Sequence, residues 1–187
     1  GIEQLIAGGD ITIGALDSKS RIALVSRNGK PVLITLAATP TLSTPFSPWP
    51  SFDGGERCSL DLRLTPELEK LAAWIDETVQ AQVTASPQTW YSKQPKNLEN
   101  LYNACRRAAS KEGYSDTFRT KLSLREKSAS CKAWDLEKQT QMTVDELKNQ
   151  DWPNTAIAAQ VQLSGVYFQA ATASTGLSLW CLSPCTA

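Results

Sequence analysis

The chain has 187 residues, 19 basic and 19 acidic side chains, and no histidine. That length is enough to bury a real core, and a hydrophobic fraction of 41% is ordinary for a globular protein, so one domain spanning 1–187 is expected. Without histidine, Ser-His-Asp and Cys-His catalysis, imidazole bases and His-ligated metals are excluded.

Other chemistries also lack their residues. There is no phosphate-binding lysine loop, no glycine fingerprint after a strand, and no close Asp/Glu motif for Mg²⁺. The acids Asp10, Asp17 and Asp53 are scattered. The expectation is a protein that is not an enzyme and needs no cofactor or metal. No apolar run approaches the ~20 residues of a membrane span, and the opening "GIEQLIAGGD" lacks the pattern of a secretory leader. Five cysteines (58, 105, 131, 181, 185) are odd in number and irregular in spacing. A disulfide framework is not expected, which points to a reducing, intracellular location.

In chain order, residues 10–36 read as β structure. "RIALVS" and "PVLITLA" flank Asn28-Gly29, a dipeptide that tolerates the positive φ of a type I′ hairpin turn. Residues 38–57 form a Pro-, Ser- and Thr-rich segment in which Phe46, Trp49 and Phe52 pin the loop to the core, with an exposed stacking ring at Trp49 as the alternative. "CSLDLRL" (58–64) alternates as a half-buried strand. A packing helix follows, capped by Thr65 with Pro66 in its first turn, and its acids Glu67, Glu69, Asp76 and Glu77 are expected in solvent.

From Tyr91 to Lys132 there are ten basic and four acidic residues, so the positive charge of a neutral chain is concentrated here. The loop "SPQTWYSKQPKN" carries Trp90, Tyr91, Lys93 and Lys96. Asn97 is read as the cap of a second helix, with Leu98, Leu101, Cys105 and Ala108 on one face and Arg106 and Arg107 near its end. After Tyr114 comes the strand pattern "FRTKLSLR". Phe118, Thr120, Leu122 and Leu124 share one face; Arg119, Lys121, Ser123 and Arg125 share the other, with Lys127 beyond. Cations spaced along a strand and interleaved with rings suit a single-stranded nucleic acid: the cations meet phosphates and the rings stack on bases. Each feature also has a plain structural explanation. Outward cations are common on exposed strands, Arg near a helix end suits the dipole, and Trp90 could as well anchor its loop.

"CKAWDLEK" (131–138) reads as a paired strand, and Thr143 with Glu146 as a capping box. In "TAIAAQVQLSGVYFQ" (155–169) the apolar parity flips at Ser164-Gly165, which predicts a β-bulge. "LSLWCL" (177–182) returns as a closing strand. The fold expected is mainly β with α insertions (α+β), an OB-like antiparallel barrel with two or three helices.

The segments "LSTPF" (42–46), "SLDLRL", "WIDETV" (74–79), "SPQTWYSK" (86–93), "LYNACRR" (101–107), "YSDTFRTKL" (114–122) and "GVYFQ…GLSLW" (165–180) occur in an order that resembles one family. It is that of the OB-fold single-stranded-DNA-binding proteins of large nucleocytoplasmic DNA viruses, distantly similar to those of short-tailed phages. The resemblance implies a non-catalytic protein that coats single-stranded DNA in replication, recombination or repair, in a nucleus or at a viral replication site. The phage relatives carry an acidic C-terminal tail, and this chain reads "CLSPCTA" at that place. On this reading the binding residues are Trp90, Tyr91, Lys93, Lys96, Arg106, Arg107, Tyr114, Arg119, Lys121, Arg125 and Lys127. Single-stranded DNA is the expected partner, RNA fits the same chemistry, and self-association or replication proteins are further candidates. The alternatives are a structural or scaffold protein whose basic face meets an acidic protein partner, and a Mg²⁺-dependent hydrolase or nuclease built from scattered Asp and Glu.

Overall fold

A computed structural model describes residues 2–9, 11–36, 42–47, 49–50, 57–85, 102–123, 133–135, 138–169 and 174–186. Helix α1 (Ile2–Ala7) precedes β1 (Thr12–Ile13), β2 (Ile22–Arg27), β3 (Lys30–Leu36), β4 (Trp49–Pro50) and β5 (Arg57–Arg63). Helix α2 (Pro66–Ala85) leads to β6 (Tyr102–Asn103), β7 (Arg106–Arg107), β8 (Thr117–Ser123), β9 (Trp134–Asp135) and β10 (Thr140–Gln141). Helix α3 (Val144–Asn149) and the long strands β11 (Ile157–Gln169) and β12 (Ser174–Thr186) follow.

The sheet runs β1-β2-β3-β11-β12-β8-β5-β4. Of its strands, β3, β5, β8, β11 and β12 define the fold. Numbered one to five in chain order, they lie in the order one, four, five, three, two, and the fifth is parallel to the third at Trp180 and Lys121. That is the order of a five-stranded Greek-key barrel, so the chain has an OB-like, mainly β α+β fold with three helices among the described residues. Two details differ from an antiparallel barrel. β12 is joined in parallel to β6, β8 and β9. The ladder path is also open, with β1 at one end and β4 at the other. Residues 42–44 curl the sheet toward closure: Arg63 N donates to Ser43 O at 2.8 Å, Ile157 N donates to Leu42 O at 2.8 Å, and Ser43 bridges Ala156.

Local sequence explains most elements. Asn28 (φ 52°) and Gly29 (φ 71°) make the left-handed turn that pairs Arg27 with Lys30. Thr65 Oγ1 accepts from Leu68 N at 3.2 Å and caps α2, which buries Leu68, Leu71, Ala72, Ile75, Val79 and Val83. Thr143 and Glu146 form the capping box of α3. β11 shifts register between Leu163 and Gly165, at the predicted bulge, and again between Gln160 and Val161. At Gly165 a Cβ would lie 2.6 Å from Ile22 Cγ2 and 2.7 Å from Ala23 O, so the strand crosses β2 too closely for any side chain.

One predicted element is overturned. Residues 102–108 are not the end of a helix: they form β6 and β7, and the rest of that predicted helix, with its cap at Asn97, lies outside the described residues. The cause is tertiary. Asp76 on α2 accepts from Tyr102 Oη (2.8 Å), Cys105 N (3.0 Å) and Arg106 N (3.5 Å), while Arg119 N donates to Cys105 O at 2.9 Å. These bonds satisfy the backbone in an extended form and outweigh the helical propensity of "NACRRAA". Asp76 is therefore half-buried and accepts three hydrogen bonds, rather than being one of the solvated acids of α2.

Candidate nucleic-acid interface

Strands β5 and β8 pair over their whole length, from Arg57↔Ser123 to Arg63↔Thr117. Cys58, Leu60 and Leu62 of β5, and Phe118, Thr120 and Leu122 of β8, are buried on one face. Ser59, Asp61 and Arg63 therefore share the opposite face with Arg119, Lys121 and Ser123, as the alternation in β8 predicts. The sequence reading missed the β5 half of this face. Its alternation was visible, but the pairing of β5 with β8 was not.

At one end of that face lies a groove of about 370 Å³, lined by Phe46, Asp61, Arg107, Lys111, Tyr114 and Arg119 among others. Phe46, carried by the Pro-rich segment, stacks on Tyr114 with ring centroids 6.1 Å apart and planes 27° from parallel. Tyr114 is 56% exposed, so this ring pair offers a flat apolar surface to solvent. It is held by a turn in which Tyr114 N donates to Lys111 O at 3.3 Å.

The two neighbouring arginines separate. Arg106 lies opposite Phe118 and Arg107 opposite Thr117, so their side chains leave opposite faces of β7. Arg106 is bound by Asp116 Oδ2, at 3.1 Å from Nε and 3.0 Å from Nη2, and by Glu69 Oε1 at 3.1 Å. Asp116 also accepts from Ala109 N at 2.9 Å. That backbone bond, then Arg106, holds its carboxyl below the usual carboxylate range. Arg106 is thus a strut between α2 and the loop leading to β8. Arg107 points into the groove; among the described residues no carboxylate pairs with it or with Lys111, and its Nε has no hydrogen-bond partner.

Arg119 forms a two-pronged pair with Asp61: Nε to Oδ1 at 2.8 Å and Nη2 to Oδ2 at 2.7 Å. Asp61 is 5% exposed and Arg119 37%. The hydrogen bond to Asp61 raises the already high pKa of Arg119 against a partial cost of burial. The cation read from sequence as wholly outward is therefore balanced by a buried acid. Two residues further along β8, Lys121 Nζ sits 4.9 Å from the ring centroid of Tyr167 on β11, a second cation beside a ring on the same side of the sheet. Tyr167, Phe46 and Lys111 belong to this candidate surface, and the sequence reading did not single them out as binding groups. Trp90, Tyr91, Lys93, Lys96, Arg125 and Lys127 lie outside the described residues.

Burial, then Asp76, pushes the Tyr102 hydroxyl and the Cys105 thiol far above their ordinary values, so both stay protonated. Cys58 and Cys105 are buried and unbridged. No group of three metal-ligating side chains occurs among the described residues.

Three solved chains resemble this one in overall course. The single-stranded DNA-binding protein from bacteriophage Enc34 in complex with ssDNA is 10% identical, with 94% of this chain and 95% of that chain covered and a TM-score of 0.46. Its C-terminal truncation is 9% identical, with 95% and 94% covered and a TM-score of 0.47. A further structure of the same protein is 10% identical, with 94% and 89% covered and a TM-score of 0.43. No protein-family model and no curated protein matches the chain.

Proposed function

We propose that this protein binds single-stranded DNA, without catalysis, across the β5–β8 face and the groove at its end. The observation that carries the reading is the groove itself. Arg107 and Lys111, with no acidic partner among the described residues, flank the ring pair of half-buried Phe46 and exposed Tyr114. Cations meet phosphates and a ring platform stacks on bases. The strands involved are the second and third of the OB order, the face on which OB folds bind oligonucleotides, and Phe46 belongs to the loop between the first and second. Lys121 and Tyr167 extend the same surface. A role in replication, recombination or repair, and kinship with the proteins of large nucleocytoplasmic DNA viruses, belong to this proposal through the sequence resemblance.

The test is fluorescence anisotropy with a labelled single-stranded oligonucleotide at several salt concentrations. With three to five phosphates neutralised, log K falls against log salt with a slope of roughly −2 to −3.5, at about −0.7 per contact. Tyr114→Ala costs about 1–3 kcal/mol of binding, the value of one stacked base. Because Tyr114 is 56% exposed, the fold stays intact. Salt-independent affinity, or equal affinity for duplex, refutes the reading.

A further inference from the structure

The groove contains one group that a phosphate-binding surface does not need. Asp61 is an acid on its floor, 5% exposed, in a lining whose other charged residues, Arg107, Lys111 and Arg119, are all basic. A carboxylate has about four acceptor positions. Asp61 uses one on each oxygen for Arg119, and no other hydrogen bond reaches its side chain among the described residues. Arg119 in turn spends two donors on Asp61 and, with 37% of its side chain exposed, has others to offer. The floor thus presents an acceptor edge beside a donor edge, next to a ring pair on which a flat group can lie. A phosphate entering here would meet the buried negative charge of Asp61. A nucleobase would not.

Resting on the reading that the groove binds single strands, we propose that it takes one unpaired base whose Watson–Crick edge meets the Asp61–Arg119 pair, with guanine the best match. Phosphates are left to Arg107 and Lys111 at the rim. In a duplex that edge is already consumed by pairing, whereas unpaired nucleotides expose it, so the floor itself selects single strands. Guanine offers two adjacent donors, N1–H and the 2-amino group, to the carboxylate, and its O6 beside them to the guanidinium. Thymine offers one donor between two carbonyls, and one of those carbonyls would face Asp61. The result is a base preference at one position within an otherwise sequence-tolerant surface.

The experiment leaves the protein unaltered and changes the ligand. Anisotropy titrations compare four oligonucleotides of one length and fixed salt: all thymidine, and thymidine with a single central deoxyguanosine, deoxyinosine or abasic residue. A single guanine is expected to tighten binding about tenfold over all-thymidine, the lower end of one well-placed bidentate contact. Inosine, lacking the 2-amino group, falls between the two, and the abasic strand binds more weakly than thymidine. In Tyr114→Ala the four affinities converge. Equal affinities of the guanine, inosine and thymine strands for the unaltered protein overturn base readout while leaving single-strand binding standing. A guanine preference that survives Tyr114→Ala at full size places the readout elsewhere and overturns the assignment to this groove. Failure of all four strands to bind overturns the underlying reading instead.

Discussion

Replacing Arg119 with alanine removes the only side chain that hydrogen-bonds the Asp61 carboxylate among the described residues and leaves a charge that is 5% exposed without a counter-ion. Breaking a buried pair from one side costs about 3–5 kcal/mol. Arg119 is 37% exposed, so water reaches and screens the pair, which brings the expected loss to about 2–3 kcal/mol. For a chain of 187 residues each kcal/mol is worth about 2–4 °C, so the melting temperature should fall by roughly 5–10 °C. Asp61→Ala should cost less, because the guanidinium left behind can turn into solvent. The double variant should be more stable than Arg119→Ala alone, with a coupling of at least about 1 kcal/mol in a thermal or urea double-mutant cycle. Arg119→Ala melting within about 1 °C of the parent, or additivity in the cycle, would show that Asp61 is hydrated and that the pair contributes nothing to the face.

Lys121→Ala on the same strand is expected to cost no more than about 1 kcal/mol, the value of a solvent-reachable cation–π contact, measured in the same melts. Gly165→Ala forces a methyl group against Ile22 Cγ2 and Ala23 O at 2.6 and 2.7 Å, and should lower stability by about 1–3 kcal/mol in denaturant titration. The folded-state pKa of Asp116 lies below its ordinary 3.8. Its ionised form therefore contributes stability in full above that value, and the contribution is lost as pH falls through the folded pKa. Asp116→Asn should lower the melting temperature at neutral pH, and the gap from the parent should close on acidification below pH ~4.

The features legible in the sequence are those fixed by near neighbours. Asn28-Gly29 set the hairpin, Thr65-Pro66 the start of α2, Thr143 and Glu146 the start of α3, and the parity change at Ser164-Gly165 the bulge. The alternation of β8 gave its two faces correctly from Phe118 to Ser123; Leu124 and Arg125 lie outside the described residues. What was illegible depends on partners far along the chain. Asp61 and Arg119 are 58 residues apart, and Asp76 meets Cys105 across 29. A local pattern reports that residues 102–108 can be helical; only the position of α2 decides that they are not. For the same reason Arg106 and Arg107 look equivalent in the sequence, although one is a strut and the other faces the groove.

The position of β12 has a consequence for how the chain acquires its structure. In the continuous ladder, β12 stands between β11, with β1–β3 beyond it, and the β4–β5–β8 half. Those two halves come from earlier stretches of the sequence, and the ladder connects them only when residues 174–186 are available to insert between them. During synthesis the half that carries the groove, with α2 laid against β7 and β8, must wait with an open strand edge until that last described segment emerges. Pairings of such long sequence range close slowly, on the millisecond-to-second scale of β-rich folds. A chain interrupted before Ser174 would retain every groove residue identified above and still lack the strand that joins its two halves.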